Sequence, residues 1–127
     1  ALMESIEQEL LEAFGQSLRL IDGFDVSALI AALYTMVEQH GDACRVLIFG
    51  GASPSVLGRM IDLARPSSIA AWKHQLHHAS DAELEMLYTH LSNGLMNVVV
   101  SGYDKYSREE VISFVNHIVK SSLSLFQ

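Results

Sequence analysis

Apolar residues recur along this chain at helical spacing. In the first segment, Leu2 to about Ile21, the positions Ile6, Leu10, Phe14 and Leu18 fall every fourth residue, with Leu11 and Ile21 alongside. That is one face of an amphipathic helix, written in the good helix formers Glu, Leu, Gln and Ala. "DGFD" breaks it. From Val26 to Gln39 the spacing resumes with Val26, Leu29, Ile30, Leu33 and Val37, and Asp25 or Ser27 stands at the capping position. Gly41 reads as a stop. The run "ACRVLIF" is strand-like in composition but finds no partner strand, so it reads as a short buried helix. "GGASP" reads as a loop, and Ser53-Pro54 as a helix start with proline in the first helical position.

Val56, Leu57, Met60, Ile61 and Ala64 give the next stripe. Pro66 is expected to interrupt or kink it, and Ile69, Trp72 and Leu76 carry it on to His78. Ser80 with Glu83 and Ser107 with Glu110 are two capping boxes. They predict helices over about Asp81–Gly102 and Arg108–Leu125. The whole is an all-α fold, one helical domain over residues 1–127.

The stretch "SNGLMNVVVSGYDKYSREEV" needs more care, since its valines suggest a strand and its glycines and asparagines a turn. On a wheel of about 100° per residue, Leu84, Leu87, Tyr88, Leu91, Leu95, Val98 and Val99 cluster on one side. Met86, Met96 and Val100 fall on the other, with Asn93 and Asn97 among them. The valines therefore read as the end of a long helix, because packing overrides their slight helix penalty. A helix apolar on two faces is buried on two. Gly94 costs about 1 kcal/mol against Ala in mid-helix, which close approach of another helix offsets. In the last helix, Val111, Ile112, Phe114, Val115, Ile118, Val119, Leu123 and Leu125 fill nearly half the circumference. The two helices together read as half of a bundle that a second subunit completes. Its seam is assigned to Met86, Asn93, Gly94, Met96, Asn97, Val100, Val111, Phe114, Val115 and Ile118.

Composition narrows the function. The chain has 127 residues, half of them hydrophobic and 18% charged, with two prolines. That is enough for a core without disulfides or metals, with apolar surface left for an interface. The net charge of −7 and eight dispersed Lys and Arg make no basic patch for phosphates. The single Cys44 excludes an internal disulfide and fits a reducing, cytoplasmic setting. No run approaches the roughly 18 apolar residues of a membrane span, and the acidic start is unlike a signal peptide.

Catalytic motifs are missing. There is no GxSxG, no Cys/His signature and no phosphate loop, and "FGGASPS" lacks the lysine of one. His74 and His78 are spaced to share a metal on a helix, but no third ligand motif joins them, and surface histidines are the commoner outcome. His40, His90 and His117 are scattered. Tyr34, Phe49, Met60, Trp72, Met86 and Met96 are soft or large and suit an adaptable cavity, although burial in an ordinary core is the default fate of such side chains.

The segment "LSNGLMNVVVSGYDKYSREEVISFVNHIV" resembles the end of the ligand-binding and dimerisation domain of TetR-type transcriptional regulators. The matching features are a mid-helix glycine, an aromatic after a second small residue, and a serine and acidic residues opening the last helix. Here these are Gly94, Gly102, Tyr103, Ser107, Glu109 and Glu110; the family more often has Trp where Tyr103 stands. "MVEQHGDACRVLIFGGASPSVLGRMIDLA" is similar to an earlier part of the same domain. The resemblance runs from about Ser27 onward. It implies a non-catalytic domain without cofactor, a homodimer through the last two helices, and a pocket for a small, largely apolar effector. Tyr34, Phe49, Met60, Trp72 and His90 are the expected lining. It also implies DNA contact only through an N-terminal helix-turn-helix head, which nothing in Ala1 to Ile21 supplies. The missing initial Met then fits a fragment cut after that head. The competing expectations are a helical protein–protein adaptor without ligand and a metal-dependent helical enzyme using His74 and His78.

Overall fold

The computed structural model describes residues 2–21, 25–51, 53 and 55–127. Every regular element among them is helical, as the spacing predicts. They are α1 (Leu2–Arg19), α2 (Val26–Gln39), the short α3 (Gly41–Cys44), which runs into a π-helical turn (Arg45–Phe49), α4 (Ser55–Gln75), α5 (Asp81–Gly102) and α6 (Arg108–Ser124). Most of "DGFD" and Pro54 lie outside the described residues.

The caps explain the boundaries. Asp25 accepts from the Ala28 N–H at 3.1 Å and opens α2. Both capping boxes form. The Ser80 hydroxyl accepts from the Glu83 N–H at 3.1 Å, and the Glu83 carboxylate from the Ser80 N–H at 2.9 Å. Ser107 and Glu110 repeat this with two bonds of 3.1 Å. Each box satisfies donors that a helix start otherwise leaves open. The valine run therefore ends the 22-residue α5, which is about 33 Å long.

α1 packs on α2 and α4, α4 on α5, and α6 on both α2 and α5. The stripes meet in one continuous core, with Leu10 and Phe14 from α1, Ile30 from α2, Met60 and Trp72 from α4, Leu84 from α5 and Val111 from α6 fully buried. Asn116 on α6 ties back to α2 by donating to the Ser27 hydroxyl.

Several expectations need correction. Gly41 stops nothing. His40, at φ −122° and ψ 41°, breaks the chain, and Gly41 opens α3. The "ACRVLIF" run is helical but not buried as a whole, because Cys44 and Leu47 enter the core and Ile48 packs partly against it while Val46 and Phe49 are exposed. Of the two outcomes expected at Pro66, interruption does not occur, and α4 runs on through it. The proline has no N–H, so the Asp62 carbonyl lacks its ordinary helical donor. The helix then stops at Gln75, short of His78.

Candidate functional site

At the centre of the fold all five long helices border one small cavity of about 30 Å³, with Phe14, Leu33, Met60, Trp72, Tyr88 and Met96 among its walls. That is room for roughly one water. The lining is almost wholly apolar. Its main polar groups are the Trp72 indole and the hydroxyls of Tyr88 and Ser92. Tyr88 donates to the Ile61 carbonyl at 2.5 Å. Burial pushes its phenol up to about 12, against the pull of Arg65, so it remains a donor across the neutral range. The Arg65 guanidinium lies 4.9 Å from the Tyr88 ring centre and bonds Glu85 at 2.7 Å. Trp72 tilts against the same ring, 5.9 Å away.

Of the residues expected to line a pocket, the fold brings Met60 and Trp72 together at this cavity. Tyr34 and Phe49 form a different cluster, each beside Tyr103 with ring centres 5.2 and 5.3 Å apart. Leu33 takes the cavity position on α2, and the next residue points about 100° away. Among the described residues, the buried Tyr34 hydroxyl finds no hydrogen-bond partner. Burial is the main cause that raises its pKa, with Tyr103 adding to it. The Arg108 guanidinium sits 5.8 Å from the Tyr34 ring centre. His90 is exposed on the outer face of α5.

That outer face is the second feature. His90, Gly94, Val98, Phe114 and Ile118 border a groove of about 180 Å³ between α5 and α6. A second hollow lies around Val98, Phe114, Tyr106 and Glu110. Phe114 is 55% and Ile118 42% exposed. From Met86 to Tyr103 the chain carries no Asp, Glu, Lys or Arg. Among the described residues, a Cβ on Gly94 would meet nothing within 4 Å. Asn93 and Asn97 donate to the carbonyls of Thr89 and Asn93, at 2.8 and 2.9 Å.

The residues assigned to a dimer seam therefore divide. Met86, Asn93, Gly94, Asn97, Phe114 and Ile118 face outward, and Val100 is half-buried. Met96, Val111 and Val115 are already buried within the one chain. Met96 belongs to the core stripe of α5 and not to an outer one. Ten residues at about 100° each leave it roughly 80° round the helix from Met86.

A polar cluster went unnoticed in the sequence. Glu7 of α1 is buried and accepts from the Ser53 hydroxyl and, at 3.2 Å, from Arg59 on α4. Its signal is an acidic residue set three and seven positions before Leu10 and Phe14, inside the apolar stripe. The histidines do not gather. α4 ends at Gln75, so His74 and His78 do not share a helix. Among the described residues, no group of three or more His, Cys, Asp or Glu is placed to hold a metal, and no helix is long and apolar enough to cross a membrane. Comparison with protein-family models, with curated proteins and with solved structures finds no match for the chain.

Proposed function

We propose that this chain is the effector-sensing and dimerisation domain of a TetR-type transcriptional regulator, non-catalytic and cytoplasmic. The carrying observation is the outer face of α5 and α6, where Val98, Phe114 and Ile118 are accessible beside the open Gly94, on a helix free of charge for four turns. Exposed apolar surface of this kind marks an interaction site. A second copy suits it because a chain of net charge −7 meets its own kind best across a stretch such as Met86 to Tyr103, which carries no acidic residue. In this reading two α5/α6 pairs form a four-helix bundle about a two-fold axis. The effector is a small uncharged apolar molecule in the central cavity, whose walls offer no charged group. DNA contact belongs to a helix-turn-helix head outside these residues.

One observation favours a second reading. The cavity holds about 30 Å³, whereas ligand pockets run to roughly 300–1,000 Å³. A helical adaptor that uses the same outer face and binds no ligand needs no larger cavity. The effector reading requires the flexible Met60 and Met96 to yield.

Light scattering during size exclusion tests the shared part. A dimer at micromolar concentration is expected, converted to monomer by Phe114→Asp with Ile118→Asp. A monomeric parent chain contradicts both the bundle and the regulator. Trp72 fluorescence then separates the two readings, because a small apolar molecule that does not absorb at the exciting wavelength, such as benzene or cyclohexane, perturbs it only where the cavity opens.

A further inference from the structure

We propose that Tyr88 is the latch of a hinge in α4: its hydroxyl holds the turn that Pro66 weakens, and displacing its ring from the cavity frees the Ser55–Arg65 half.

The weak point lies in the backbone. Pro66 sits inside α4, so the Asp62 carbonyl has no donor from the ladder and the proline ring crowds it. Two serines follow, and their hydroxyls turn back onto the Ala64 carbonyl at 3.4 and 2.8 Å. Such back-bonding bends helices. The segment from Asp62 to Ser68 is therefore a weakened stretch of α4.

α5 braces this stretch from outside, beside the missing bond and not in its place. The Tyr88 hydroxyl donates to the carbonyl of Ile61, the residue next to the orphaned one. One turn earlier on α5, Glu85 bonds Arg65, the residue before the proline. Arg65 also covers the Tyr88 ring at 4.9 Å. Both ties come from one neighbouring helix and grip the same joint.

The latch and the cavity share a residue, because the Tyr88 ring forms part of the cavity wall. Any occupant larger than a water pushes against it or against Trp72, its neighbour at 5.9 Å. The freed half of α4 is not isolated. Through Arg59 it holds Glu7, so α1 is carried with it. A joint with two discrete arrangements is how small shifts in packed cores become movements of whole elements. The part played by an occupant rests on the effector reading above; the latch itself does not.

Amide hydrogen exchange on the whole chain tests both. Tyr88→Phe is expected to speed exchange of amides 60–65 by about tenfold beyond any change in α6, as local opening does. Pro66→Ala, which restores the missing donor, is expected to slow them, and in the double variant the local excess largely disappears. Equal acceleration in α4 and α6, or an excess that persists in the double variant, overturns the latch. Xenon under pressure serves as the cavity probe. Its entry with faster exchange at 60–65 in the parent chain supports the coupling, and entry without that change overturns it. Failure of xenon to enter counts against the effector pocket, while the variants still decide the latch.

Discussion

The carboxylate of Glu7 accepts a hydrogen bond from the hydroxyl of Ser53, 46 residues further along the chain. Both side chains are buried, and Arg59 reaches the second carboxylate oxygen at 3.2 Å from a position more than half in solvent. The two partners are therefore unequal. Removing the acceptor strands a buried hydroxyl, whereas removing Arg59 takes away a partner that is itself half in water and leaves the Glu7 carboxylate its bond from Ser53. Glu7→Ala is expected to lower stability by about 1–3 kcal/mol, and Arg59→Ala by less than about 1 kcal/mol. Urea denaturation of both variants checks the order. A larger loss for Arg59→Ala contradicts it.

Two tyrosines make a matched pair of opposite sign. The Tyr88 hydroxyl has the Ile61 carbonyl as its partner, but the Tyr34 hydroxyl is buried with none among the described residues. Tyr88→Phe removes a made hydrogen bond and is expected to cost about 1–2 kcal/mol. Tyr34→Phe removes only the desolvation penalty of an unmade one, so it is expected to be neutral or stabilising by up to about 1 kcal/mol. Thermal melts decide. A Tyr34→Phe variant that loses more than the Tyr88→Phe variant contradicts the assignment.

Alkaline pH acts on the same core. Burial raises the Tyr88 phenol from 10.0 to about 12 and the Cys44 thiol from 9.0 to about 11. In the unfolded chain these groups release protons first, so between the two values the folded state binds more protons. Stability then falls as pH rises. The contribution of each group is complete below its unfolded value and is lost by its folded one. The windows are pH 9–11 for Cys44 and 10–12 for Tyr88, worth about 2–3 kcal/mol each. Tyr34 and Tyr103 are raised as well and add in the same direction. Urea titrations from pH 8 to 12 should show the decline, with the lower part removed by Cys44→Ala and the upper part reduced by Tyr88→Phe. A flat profile to pH 12 is the contrary result.

The elements were legible because local chemistry announces them. Ser80 with Glu83 and Ser107 with Glu110 are short-range signals, and both boxes form as written. What local chemistry leaves open depends on distant neighbours. Met96 shares an apolar character with Met86, but only the position of α4 and α6 around α5 decides that one is core and the other surface. Tyr34 and Phe49 suit a pocket by type, yet the approach of Tyr103 from the far end of α5 draws them into a cluster of their own. Pro66 forbids nothing absolute. It removes one donor, and tertiary contacts from Glu85 and Tyr88 hold the helix through it.

Gly94 offers the sharpest test of the outer face, because its two roles have opposite consequences. Among the described residues nothing approaches it, and a Cβ there meets none of them within 4 Å. Alanine should therefore improve α5 by about 1 kcal/mol through helix propensity alone, in a subunit measured as a monomer. At a seam between two copies of α5 and α6, the glycine lets backbones come close, and the added methyl pushes them apart. Overpacking of a fitted contact typically costs about 1–3 kcal/mol. Gly94→Ala is thus expected to weaken self-association while strengthening the isolated fold. Sedimentation equilibrium over a concentration series, paired with urea denaturation of the monomeric Phe114→Asp, Ile118→Asp background with and without Gly94→Ala, separates the two effects. A Gly94→Ala chain that associates as tightly as the parent removes Gly94 from the seam and moves the crossing point elsewhere on the helix.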